Sequence, residues 1–224
     1  MNDYSNTLRA DYELRERMIA SKWRPRYHFL PPAGRWNDVN GAYYHAGRFH
    51  LGYLQKISNA PGKLDFSSWQ HISSQDLLHC THHSTSLRIV EPDSKGGYFN
   101  SGGMIRNSEI PTIITNASGQ GICIYQCFDS KLEYWEPLPQ NPVIKIDEYR
   151  TCNKFPEAVI FDPSGWKEGD VYYALIGNKN LRPGYEGDST SLFCSKNLID
   201  WEYYDNALHT DFEFDNFKDC MSAM

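Results

Sequence analysis

Two interleaved series of short segments recur along this chain at about sixty residues, and they narrow the possible folds more than any other feature. The first series runs serine, polar residue, leucine, then an aromatic residue or cysteine. Its members are "SSQDLLHC" ending at Cys80, "FDSKLEYW" ending at Trp135 and "CSKNLIDW" ending at Trp201, with gaps of 55 and 66 residues. The second lies out of phase: "WNDVNG" around residue 38, "FNSGG" around 101, "FDPSGW" around 162 and "KDCMSA" around 219. A segment repeated at such a period is one supersecondary unit that buries its apolar face only by stacking on the next. Two series at one period fit a β-propeller whose blades each give one inner strand near the axis and one outer strand. A β-sandwich with accidental similarity is the rival reading.

The text between the repeats agrees with strands. "GAYYHAGRFHLGYL", "TIITNASGQGICIYQCF" and "GDVYYALIGN" alternate apolar and polar residues and are broken by Gly, Asn and Asp. Helical spacing is confined to the start, where Ser5 or Asn6 can cap "NTLRADYELRERMIASKW". The expected organisation is a helical segment over 1–23 and an all-β, partial propeller over 24–224. On this phasing the chain carries about three blades and ends as the fourth inner strand begins. An open ring exposes a strand edge, so self-association through that edge, or completion by further chain, is expected.

Composition limits the function classes. A net charge of −6 and the absence of any lysine–arginine cluster argue against nucleic acid. No apolar run approaches the roughly 20 residues of a membrane span, and the N-terminus lacks a signal-peptide core, so a cytoplasmic location is expected. The six cysteines show no CxxC pair or zinc-ligand spacing and read as small buried thiols. Neither a metal nor another cofactor is expected. Aromatic residues make up 14% of the chain, which suits strands and also suits stacking on sugar faces.

Taken by itself, Asp38 in "NDVNG" has two readings: an Asx-turn that ends a strand, or a reactive carboxylate aimed by the amides of Asn37, Asn40 and Gly41. The surrounding stretch, "RPRYHFLPPAGRWNDVNGAYYHAGRFHLGYLQ", resembles the opening of glycoside hydrolase family 32, the invertase, levanase and fructanase group, with its "WMNDPNG" segment. "SWQHISSQDLLHC" is similar to the family's "WGHAVSKDLVHW", "GGYFNSGGMI" to its "GCFSGSAVV", and "IFDPSGWKEGDVYYALIGN" to the block around its "RDP" motif. The likeness covers roughly residues 24 to 220. It implies a five-bladed propeller acting on β-fructofuranosides with retention, Asp38 as nucleophile and Asp162 as the carboxylate that stabilises the transition state. Phe161 stands where the family has arginine. The resemblance also offers Trp36, Asn37, Gln55, Trp69 and Asn100 as substrate-binding residues, with core packing the alternative for both tryptophans. His71, His82 and His83 receive no role.

A retaining glycosidase needs a second carboxyl roughly 5 Å from the nucleophile, acting as acid and then as base. The family's glutamate falls on Lys218 of "FKDCMSAM". A lysine with an ordinary pKa of about 10.4 is a poor donor to a glycosidic oxygen. Asp219 and Glu213 are the candidates for this acid. The expectation is therefore a β-fructofuranosidase acting on sucrose, levan or inulin. The alternatives are an impaired relative that binds sugar without turnover and an enzyme acting on another furanoside.

Overall fold

The computed structural model of the 224-residue chain describes residues 13, 16–24, 27, 29–31, 35–57, 66–83, 86–87, 99–148, 159–179 and 188–208. These hold thirteen strands and short helical turns at residues 16–19 and 146–148. The strands fall into three successive four-stranded antiparallel meanders. The first is β1 (Arg35–His45), β2 (Arg48–Ile57), β3 (Phe66–Ser74) and β4 (Cys80–His82). The second is β5 (Phe99–Arg106), β6 (Thr112–Ala117), β7 (Gly121–Cys127) and β8 (Trp135–Pro137), with β9 (Ile144–Lys145) added beside β7. The third is β10 (Val159–Glu168), β11 (Val171–Lys179), β12 (Asp188–Ser195) and β13 (Glu202–Leu208). This is an all-β, propeller-type fold. The chain divides into two compact units, residues 1–92 and 93–224.

The repeats that fall within the described residues have a structural cause; "KDCMSA" lies outside them. The first series forms the turns that join the third and fourth strands of each meander. Leu77, Leu132 and Leu198 all take left-handed backbone there, at φ 64°, 59° and 66°. Such a conformation is unfavourable for a residue with a side chain unless its surroundings fix it. Asp129 fixes the second turn by accepting from the amides of Lys131, Glu133 and Tyr134. Ser195 and Asn197 divide the same work in the third turn, and Ser74 and Asp76 in the first. The first two strands join through a tight hairpin in which Ala46 and Gly47 both have positive φ, 46° and 80°, matching the strand twist.

The second unit is built around one apolar core. Ile105, Ile114, Ile122, Ile124, Ile176 and Phe193 from both of its meanders pack together, with Trp201 and Tyr203 against them. Strands β5 and β10 run parallel and pair at Gly165↔Ile105 and Trp166↔Arg106, so the first strands of the two meanders meet edge to edge. In the first unit Tyr53, Leu54, Trp69, Ile72 and Leu87 are buried. Among the described residues Cys80, Cys123, Cys127 and Cys194 are free thiols, and burial pushes Cys123 up to about 12. No helix among them is long and apolar enough to cross a membrane.

Candidate active site

The second sequence series marks the first strand of every meander, and each of these strands carries a bulge at the same point. In β1 the pairing passes from Trp36↔Gln55 to Val39↔Tyr53, with two residues, Asn37 and Asp38, set against the single Leu54 on β2. In β5 it passes from Phe99↔Ala117 to Gly102↔Thr115, and in β10 from Ile160↔Asn178 to Pro163↔Ile176. The extra residue breaks the alternation of faces and re-aims the side chains beside it. Asn37–Asp38, Asn100–Ser101 and Phe161–Asp162 therefore hold equivalent positions. The second residue of the pair is a carboxylate in the first and third meanders and a hydroxyl in the second.

This geometry removes one of the two readings of "WNDVNG", the Asx-turn that ends a strand. The segment is a bulged strand, with a second irregularity between Asn40 and Tyr43 and positive φ at Gly41, and it does not end the strand. Asp38 is exposed, and Asn37 Nδ2 donates to its Oδ2 at 3.3 Å. Asn40 is buried and donates instead to the Asp38 carbonyl at 3.1 Å, which fixes the backbone that carries the carboxylate. "FDP" is likewise strand: Asp162 is half-buried, and Pro163 is tolerated in β10 because the bulge removes the need for its missing N–H.

The remaining candidates divide by burial. Trp36 is 60% exposed one residue before the bulge, with Gln55 buried opposite it on β2. Trp69 is 1% exposed and lies in the core of the first meander beside Gly52, so in this structure its ring packs against protein. Asn100 is half-buried, and its carbonyl accepts from Thr115 Oγ1 at 3.0 Å. Asp219, Glu213 and Lys218 lie outside the described residues.

Sequence reasoning passed over Ser101, the bulge hydroxyl, which is buried. The histidines given no role from sequence, His71 and His83, join His50 in a set of rings in the first meander. His71 stacks on His83 at 4.3 Å and on His50 at 5.1 Å, and His50 Nδ1 and His71 Nε2 are hydrogen-bonded at 2.9 Å, the donor set by the tautomers. His83 meets Ser73 Oγ at 2.6 Å, and Arg48 donates to the same oxygen at 2.8 Å. Burial holds His50 down at about 4 against a hydrogen bond with His45 that favours the charged form. The described residues form no group of His, Cys, Asp and Glu that could hold a metal ion.

Residues 28–223 match the family described as glycosyl hydrolases family 32 N-terminal domain. Sucrose-6-phosphate hydrolase of Zymomonas mobilis is 27% identical over 217 residues, covering 88% of this chain and 39% of that protein. The crystal structure of fructan 1-exohydrolase IIa from Cichorium intybus in complex with 1-kestose superimposes with a TM-score of 0.65 at 25% identity, over 82% of this chain and 34% of that one. Sucrose-6-phosphate hydrolase from Lactobacillus gasseri, at 21% identity, shares the fold with a TM-score of 0.68 over 92% of this chain and 41% of that one. The chain thus spans about two fifths or less of the length of these proteins.

Proposed function

Since the chain belongs to glycosyl hydrolase family 32 through its N-terminal domain, we propose that it acts in the hydrolysis of β-fructofuranosides by a retaining mechanism. The observation that carries the reading is the shared bulge, which gives Asp38 and Asp162 the same place in two meanders, beside strands that match this family. A relative solved with 1-kestose supports a fructose-containing substrate.

In this proposal Asp38 is the nucleophile. Its carboxylate attacks the anomeric carbon of fructose as the glycosidic bond breaks, and the departing oxygen takes a proton from a carboxylic acid. Water then attacks the fructosyl ester, giving its proton to that same group and freeing Asp38. Asn37, donating to Oδ2, orients the attacking carboxylate, and the Asn40 contact fixes the backbone beneath it. Asp162 stabilises the oxocarbenium-like transition state by charge and holds sugar hydroxyls. Trp36 offers an exposed ring for stacking on the apolar sugar face. Asp219 and Glu213 remain the proposed sources of the acid.

The test is fructose release from sucrose, sucrose 6-phosphate, 1-kestose and levan by the purified chain beside Asp38→Asn and Asp162→Asn. The proposal expects release from at least one of these, lost by roughly 10⁴-fold in Asp38→Asn. Release that survives Asp38→Asn unchanged contradicts it.

A further inference from the structure

We propose that Thr115 and Asn116, consecutive residues of β6, are positioning residues that clamp the bulges of β5 and β10 and so set the placement of Ser101 and Asp162. Successive side chains of a strand leave opposite faces, so these two reach two different neighbours. Thr115 Oγ1 donates 3.0 Å to the carbonyl of Asn100, inside the β5 bulge. Asn116 Nδ2 donates 2.8 Å to the carbonyl of Ile160, where the register of β10 begins to slip before Asp162. Both side chains are buried, Asn116 at 5% exposure. Asparagine is a poor choice for a strand interior unless its amide is used.

The clamp acts where main-chain pairing gives out. The parallel contact between β5 and β10 is confined to Gly165↔Ile105 and Trp166↔Arg106, several residues beyond the bulges. Nearer the bulges the Asn116 amide joins β6 of the second meander directly to β10 of the third. Strand β6 is held close enough for this by Gly102, where an added Cβ would fall 2.2 Å from the Ile114 carbonyl oxygen. One strand therefore fixes two bulges with adjacent side chains.

The positional claim stands by itself, and its consequence for turnover rests on the fructoside reading. The test uses the full chain with Asn116→Ala, Thr115→Val and the conservative Thr115→Ser, beside Ile114→Val as a control that trims a neighbouring core side chain and leaves both clamping hydrogen bonds in place. The readouts are kcat/KM for fructose release, the ¹³C carboxyl resonance of Asp162 with its titration, and the urea midpoint. Asn116→Ala is expected to move the Asp162 resonance and titration, and both deletions to lower kcat/KM by roughly 10- to 100-fold, the scale of a displaced reacting group. Thr115→Ser is expected to restore most of the loss, and Ile114→Val to move neither readout. An Asp162 titration unchanged by Asn116→Ala, or shifted equally by Ile114→Val, overturns the clamp. A moved Asp162 resonance in a chain that releases no fructose upholds the clamp and refutes the fructoside reading.

Discussion

Leu132 and Leu198 share one left-handed backbone conformation, and each offers its carbonyl to the indole N–H of the tryptophan three residues on, at 3.0 and 2.9 Å. Both leucines are buried, whereas Leu77, in the same conformation in the first meander, is 65% exposed and is followed by Cys80 in place of tryptophan. Glycine relieves roughly 1–2 kcal/mol of left-handed strain and gives back about half of that as unfolded-state entropy. Leu77→Gly should therefore raise stability by up to about 1 kcal/mol. Leu132→Gly loses a fully buried side chain and should cost about 2–5 kcal/mol. Urea midpoints of the two variants check the opposite signs.

Two adjacent glycines of β5 should also respond in opposite directions. A Cβ at Gly102 would meet backbone at 2.2 and 2.8 Å, which only a shift of β6 can relieve. A Cβ at Gly103 would find ordinary contacts at 3.6 and 4.0 Å. Gly102→Ala is expected to destabilise by about 1–3 kcal/mol or more. Gly103→Ala is expected to stabilise by about 0.4–1 kcal/mol through the unfolded chain. Thermal melts of both variants measure the contrast.

How much of this was legible in the sequence follows from what each feature depends on. The outer turns were visible because their hydrogen bonds are local: Asp129 and Ser195 cap amides two to five residues away, so the pattern must recur as written. The equivalence of Asp38 and Asp162 was half visible. Their segments repeat, but a bulge is a property of two paired strands and has no signature in one of them. Asn116 reaches a carbonyl 44 residues away, and "TIITNAS" hints at this only through an asparagine among β-branched residues. Trp69 shows the limit of motif reading, since the motif gave the residue and only the packing gave its burial.

The stacked histidines predict loss of stability in acid. His50 is buried, and its folded-state value of about 4 lies below the ordinary 6.5. The unfolded chain therefore takes the proton first as pH falls. The stability held by neutral His50 is complete above pH 6.5 and is lost between 6.5 and about 4. That gap corresponds to roughly 3 kcal/mol. The rings of His71, His83, His45 and Tyr43 and the Arg48 guanidinium surround it, so no carboxylate offsets the added charge among these neighbours. His50→Gln keeps a hydrogen-bonding group that does not titrate in this range. The fall in urea midpoint from pH 7.5 to pH 4.5 should be clearly smaller in that variant than in the unaltered chain. An equal fall would place the acid sensitivity elsewhere.

The nucleophile assignment is tested most directly by acid-quenching the chain during turnover of sucrose and locating the fructosyl group by peptide mass analysis. A fructosyl ester is expected on the peptide carrying Asp38, fragmenting to Asp38 itself, with no adduct in Asp38→Asn. A fructosyl adduct on another carboxylate, or steady turnover with Asp38 replaced, would contradict the assignment.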